Sequence, residues 1–167
     1  MSLTEKEKLF NDIKGKLESR GFEIEAIDSN RPWGGFFVIE EEQAQKFIDT
    51  YFHDDVEMAE INISGKLSSK VLVVEPQKRL SWQYHHRRTE MWHVVEGPVG
   101  VVRSMSDEQG EVLEYQTGDL IILKKGERHR LVGLQNWGII AEIWQHVDAE
   151  NPSDEDDIVR LEDDFGR

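Results

Sequence analysis

Residues 80–92 read Leu80-Ser81-Trp82-Gln83-Tyr84-His85-His86-Arg87-Arg88-Thr89-Glu90-Met91-Trp92, and the way this run must lie constrains the whole chain. On a strand, alternate side chains share a face, so Gln83 and His85 project together while Trp82 and Tyr84 point the other way. Glu90 lies at the wrong parity to join His85 on one continuous strand. The two can meet only if the chain turns between them, and the polar segment His86–Thr89 suits a turn. Further along, Lys124-Lys125-Gly126-Glu127-Arg128-His129 sets another histidine just after a glycine turn. Two histidines, a carboxylate and an amide oxygen can enclose a divalent cation. With neutral histidines such a site keeps a net charge of roughly +1, able to polarise a substrate oxygen. Taken singly, a strand histidine is more often a hydrogen-bonded structural residue; it is the spacing set that points to a metal.

Outward from this run, short β-rich stretches recur at Glu60–Ser64, Lys70–Glu75, Leu80–His85, Met91–Val95, Val99–Arg103, Glu111–Tyr115, Asp119–Leu123, His129–Val132 and Ile139–Trp144. Turn signals at Gly65, Pro76, Gly97-Pro98, Asp107–Gly110, Thr117-Gly118, Gly126 and Asn136–Gly138 separate them. Many short strands with no long helix between them predict an all-β sandwich or small barrel. Ahead of it, Leu9, Phe10, Ile13 and Leu17 recur at helical spacing, so a helix is expected over 3–19. Ser2 and Glu5 fit a capping box, and Gly21 supplies a stop. A second helix is expected at about 40–51, where Ala44, Phe47, Ile48 and Tyr51 share a face. The organisation predicted is one domain: a helical extension over 1–55, a barrel over 56–147, and an acidic tail over 148–167 that docks on the barrel through Ile158, Val159, Leu161 and Phe165.

Composition narrows the function classes. The 167 residues are 38% hydrophobic, enough for a buried core, and include no cysteine, which excludes disulfides, thiolate metal sites and cysteine nucleophiles. Thirty-four acidic against 20 basic residues give a net charge of −14, the wrong sign for a nucleic-acid surface. No apolar run is long enough for a membrane helix, and the N-terminus lacks a signal-peptide stretch, so the expected setting is cytoplasmic with no membrane partner. Nine carboxylates and one cation, Arg160, occupy residues 148–164. Composition alone reads such a run as solvated.

The spacing Gln83-x-His85-x4-Glu90-x6-Gly97 resembles the first motif of the cupin superfamily, with Gln83 in place of its first histidine. Gly118, Gly126 and His129 match the second motif, in which Lys124 replaces a proline and Gly133 an asparagine. A closer resemblance is to type II phosphomannose isomerases. It rests on Leu80–Trp92, His129-Arg130-Leu131, Arg31-Pro32-Trp33-Gly34, and the ending Glu155-Asp156-Asp157-Ile158-Val159-Arg160 with Phe165-Gly166-Arg167. In many members that cupin domain is fused to a mannose-1-phosphate guanylyltransferase. The resemblance implies a cupin (double-stranded β-helix, jelly-roll) barrel with Gln83, His85, Glu90 and His129 as metal ligands. Zinc is the default metal, with iron, manganese, cobalt or nickel compatible with the same donors. It implies an aldose–ketose isomerase acting on a sugar phosphate, mannose 6-phosphate to fructose 6-phosphate.

Roles for individual residues follow from strand parity and charge and, for Arg160, from the segment that the resemblance marks. Glu142 is the candidate base, since alternation places it with Ile140 and Trp144. Arg160 is the candidate phosphate cation, followed by Arg88 and Arg130, which flank the ligands; Lys124 adds charge near the metal-bearing loop. Trp33 and Trp92 can stack on a sugar or simply pack. Trp144 stands where the family has glutamine, a departure that bears on substrate choice. A non-catalytic sugar-phosphate or nucleotide-sugar binding cupin and a metal-dependent dioxygenase are the alternatives. A homodimer pairing through edge strands is expected on physical grounds.

Overall fold

The computed structural model describes residues 3–52, 66–148 and 150–166. Helix α1 (Glu5–Ser19) buries Phe10, Ile13 and Leu17 along one stripe. Its capping box is formed by Thr4 and Glu7 rather than by Ser2 and Glu5: the Glu7 amide donates to Thr4 Oγ1 at 3.1 Å, and the Thr4 amide donates to Glu7 Oε2 at 2.8 Å. Spacing alone fits both pairs. Gly21, at φ 85°, reverses the chain after the helix. Strands β1 (Ile24–Arg31) and β2 (Gly34–Ile39) then form an antiparallel hairpin in the segment where sequence predicts only helices. Helix α2 (Ala44–Tyr51) follows, with Ala44, Phe47, Ile48 and Tyr51 all buried, as their spacing predicts. The stretch Glu60–Ser64 and the expected boundary after residue 55 lie outside the described residues.

Among the described residues nine strands follow: β3 (Lys70–Val74), β4 (Trp82–Tyr84), β5 (Arg88–Glu96), β6 (Val99–Ser104), β7 (Leu113–Tyr115), β8 (Leu120–Leu123), β9 (Arg128–Val132), β10 (Gly138–His146) and β11 (Val159–Glu162). Two antiparallel sheets result, ordered β1-β2-β3-β10-β5-β8 and β11-β4-β9-β6-β7. No helix among the described residues is long and apolar enough to cross a membrane. The acidic segment is not wholly solvated: Val159–Glu162 adds an edge strand beside β4, with Arg160 opposite Gln83.

Alternation sorts the core into two layers. Leu72, Val74, Trp92, Val94, Ile121 and Ile140 face the five-stranded sheet, where Val99, Val101 and Leu131 meet them. Val71, Val73, Ala141 and Ile143 face the other way and pack beneath Phe10, Phe37 and Phe47 of the N-terminal elements. β3 and β10 are therefore apolar on both faces, and their near-continuous hydrophobic runs report burial on two sides. At ~1.5–3 kcal/mol for each fully buried large side chain, the outer layer is integral to the fold rather than decoration. At Gly34 (φ +141°) an added Cβ would sit 1.9 Å from the Val73 carbonyl oxygen. Gly34→Ala is expected to cost at least ~2 kcal/mol through strain and clash, measured by urea unfolding; an unchanged midpoint overturns that reading.

Candidate metal centre

The polar site lies where the two sheets face each other. Gln83 and His129 sit directly opposite on β4 and β9, so their side chains share the inner face, and His85 follows with the parity of Gln83. The chain leaves β4, turns at His86-Arg87 and enters β5 in the opposite sheet. That change of sheet resolves the parity conflict, because Glu90 now approaches His85 from across the barrel. His85, Glu90 and His129 are all buried, and one donor atom from each lies within 4.8 Å of the others.

Hydrogen bonds orient these donors. His85 Nδ1–H donates to the Asp157 carbonyl oxygen at 2.7 Å, and His129 Nδ1–H donates to the Glu127 carbonyl oxygen at 3.1 Å. Each bond leaves Nε2 with its lone pair turned inward: His85 Nε2 is 3.4 Å from Glu90 Oε2, and His129 Nε2 is 3.3 Å from Glu90 Oε1. Both Glu90 Oε1 and His129 Nε2 are buried without a hydrogen-bond partner. Orphaned acceptors in a buried site are costly unless something positive completes them, so this donor set fits a divalent cation. Gln83 Oε1 accepts from Ser81 Oγ at 2.7 Å, which orients its amide.

Arg88 is part of this cluster. Its Nε donates to Glu90 Oε2 at 3.0 Å, its Nη1 donates to Ser153 Oγ and the Asp154 carbonyl, and its guanidinium stacks 3.9 Å above the Trp144 ring. Burial pushes the Glu90 carboxyl upward, but the positive charge of His85 when protonated and of Arg88, whose Nε donates to it, holds it well below the usual carboxylate range. Glu142 behaves in the opposite sense. Burial, then the nearby charge of Glu90, push its carboxyl up to about 7, while Trp92 Nε1 donates to its Oε2 at 2.9 Å.

A cavity of about 180 Å³ opens against the cluster, lined on its buried side by Glu90, Trp92 and Glu142, with Gln83 beside them. Trp33 and Lys70 also line it. Arg160 stands exposed on the cavity wall, and its guanidinium has no hydrogen-bond or ion-pair partner among the described residues. Two expected substrate contacts are placed elsewhere. Arg130, adjacent to His129 on β9, faces away from the cavity; its Nε donates to the Leu80 carbonyl, and its other nitrogens face Gln109, Glu162 and Asp164. Lys124 is exposed on the turn before β9 and does not line the cavity. Arg88 does line it, but its donors are committed to Glu90, to His85 Nε2 (3.5 Å from Nη2) and to the 153–154 segment. Sequence reasoning missed Ser81, Lys70 and Ser153; Lys70 pairs with Glu155 at 3.1 Å across the chain, a contact with no local signal.

The family model for the mannose-6-phosphate isomerase C-terminal domain matches residues 49–163. The alginate biosynthesis protein AlgA of Pseudomonas aeruginosa is 33% identical over 156 residues, covering 93% of this chain and 25% of that protein. The xanthan biosynthesis protein XanB of Xanthomonas campestris pv. campestris is 35% identical over 107 residues, 64% of this chain and 21% of that one. The chain therefore spans about a quarter of the length of these relatives. In fold it is similar to the capsular polysaccharide assembling protein CapF of Staphylococcus aureus, with a TM-score of 0.53 at 14% identity, over 84% of this chain and 34% of that one.

Proposed function

The chain belongs to the mannose-6-phosphate isomerase C-terminal family, a family with the cupin fold, and from that premise we propose that it is a metal-dependent aldose–ketose isomerase of sugar phosphates. The pair proposed is mannose 6-phosphate and fructose 6-phosphate. The observation that carries the reading is the placement of Glu142, a buried carboxyl held up to about 7, on the wall of the cavity that Glu90 and Gln83 also line. Isomerisation moves a proton between C1 and C2 of the open-chain sugar, and one group with a pKa near the working pH can both accept and return it. Trp92 holds the Glu142 carboxyl in place by donating to one oxygen and leaves the other for the substrate. When held by Gln83, His85, Glu90 and His129, a divalent cation supplies positive charge that offsets the negative charge developing on the sugar oxygens. Zinc is the first metal to test with these nitrogen and oxygen donors. Arg160, with its guanidinium unengaged on the cavity wall, offers a planar fork to the phosphate.

The test is deuterium uptake at C1 and C2 of mannose 6-phosphate in D2O, followed by NMR, with protein loaded separately with Zn, Mn, Co and Fe(II). Uptake with at least one metal is expected. Absence of uptake on any hexose phosphate, with metal shown to be bound, sinks the isomerase and moves the weight to a sugar-phosphate binding cupin. Arg160→Ala is expected to raise KM for the phosphorylated sugar by roughly 10–100-fold with little change in kcat, since a charge-assisted contact outside the reacting atoms is lost. A kcat loss at unchanged KM assigns Arg160 to the chemistry instead.

A further inference from the structure

His85 sits beyond the end of β4, and its ring is fixed from far along the chain, by the backbone carbonyl of Asp157. Asp157 is itself buried, and its carboxylate is clamped. The His86 amide donates to Oδ1 at 2.8 Å, while the Arg87 amide and Ser153 Oγ donate to Oδ2 at 2.9 and 2.6 Å. Both backbone donors belong to the turn that follows His85, so one aspartate grips the ligand's ring and the chain beside it. Ser153 is also buried; its amide donates to His146 Nδ1 at 2.9 Å, and its hydroxyl oxygen accepts from Arg88 Nη1 at 3.1 Å. Arg88 in turn donates to Glu90. Two of the proposed ligands are thus braced from outside the barrel by one short stretch of the acidic segment.

We infer that Ser153–Asp157 is the positioning element of the metal centre, so that docking of this segment and metal binding strengthen each other. The inference rests on the metal reading above but not on any isomerase activity. With the segment docked, the Asp157 carbonyl holds the proton on His85 Nδ1 and the lone pair on Nε2; undocked, the ring is free to rotate and to change tautomer. Linkage makes the effect reciprocal: whatever the segment adds to metal affinity, the metal adds to docking of the segment. The carboxylates of this stretch thus divide into one that faces inward, Asp157, and others such as Asp156 that face solvent.

The experiment measures zinc affinity by chelator competition for the wild type, Asp157→Asn, Ser153→Ala and Asp156→Asn. Hydrogen exchange of the peptide covering residues 153–157 is followed with and without zinc. Asp157→Asn keeps the shape but puts an amide NH2 against backbone donors, and is expected to weaken zinc binding roughly 10–100-fold, in the range of supporting contacts to ligands. Ser153→Ala is expected to act in the same direction more mildly, and it carries the test if Asp157→Asn does not fold. Asp156→Asn removes the same charge one residue away and is expected to leave affinity within about twofold. Exchange across 153–157 is expected to slow on adding zinc. Equal affinity in the wild type and both inward variants, or an equal loss in Asp156→Asn, overturns the inference. A wild type that binds no zinc overturns the metal centre along with it, an outcome distinct from a metal-loaded protein that lacks isomerase activity.

Discussion

Glu90→Gln is expected to lower zinc affinity by more than ~100-fold, beyond what loss of a supporting contact does, and Glu90→Ala to cost in addition ~3–5 kcal/mol of stability. Both effects come from one buried carboxylate with two different faces. Oε1 points at His129 Nε2 and has no hydrogen-bond partner, so it is open to a cation. Oε2 accepts from Arg88 Nε at 3.0 Å. Glutamine preserves the shape and an oxygen for Arg88, but it removes the negative charge that both the cation and the guanidinium require. Alanine leaves a buried guanidinium facing an empty site. Because Glu90 titrates well below the ordinary carboxylate range when folded, its stabilisation is present above its unfolded pKa and is lost as pH falls through the lower folded value. The gap between wild type and Glu90→Ala should therefore close on acidification. Chelator competition and urea unfolding at two pH values check this; zinc affinity within threefold of wild type in the glutamine variant removes Glu90 from the ligand set.

Much of this site was legible because the spacing that makes it chemical also makes it structural. Gln83 and His85 share a face by alternation, and the polar residues after His85 announced the turn that lets Glu90 meet it from the opposite sheet. Alternation also held information left unused. Arg130 follows His129 on β9, and adjacent strand residues face opposite ways, so the structure turns Arg130 toward Glu162 and Asp164. Charge near a site residue in sequence is thus weak guidance to charge near it in space. Lys124 fails for a related reason, since a turn residue with an exposed side chain need not face the mouth of the barrel.

The N-terminal hairpin was harder to read. Ile24–Arg31 mixes charged and apolar residues in an edge strand with several exposed side chains, and its partner Gly34–Ile39 is buried on both faces. Neither gives a clean period of two. The acidic segment shows the limit of composition most directly. Its average charge describes Asp156 well and Asp157 badly, because burial is decided by three donors that converge on one carboxylate, the nearby Ser153 hydroxyl and two amides about seventy residues away in sequence. Burial raises the Asp157 pKa, and the hydrogen bonds from Ser153 and from the His86 and Arg87 amides outweigh it, leaving the carboxyl below its usual range. The apolar patch at Ile158, Val159, Leu161 and Phe165 and the family resemblance both flagged this segment, whereas its charge did not.

Deuterium exchange on mannose 6-phosphate is expected to rise with pH to a plateau reached by about 7, and Glu142→Gln to lower it by roughly 10²–10⁴-fold while zinc stays bound. The rise follows from the base itself, since only its ionised form accepts the sugar proton. Stability of the metal-free protein should move the other way. A carboxyl whose folded pKa is raised binds more protons folded than unfolded between its ordinary value of 4.5 and about 7, so its contribution is complete below 4.5 and lost as pH climbs through 7. The difference corresponds to ~3 kcal/mol, and it is absent in Glu142→Gln, which cannot ionise. Urea unfolding of both proteins at pH 5 and pH 8 isolates that contribution, because other titrating groups are common to the pair. The two measurements bear on the same group in two states: a bound cation offsets the Glu90 charge that helps raise the Glu142 carboxyl, so the exchange midpoint is expected to lie at or below that of the metal-free stability profile. A glutamine variant that retains exchange within about tenfold of wild type assigns the proton transfer elsewhere and leaves Glu142 as the buried partner of Trp92 alone.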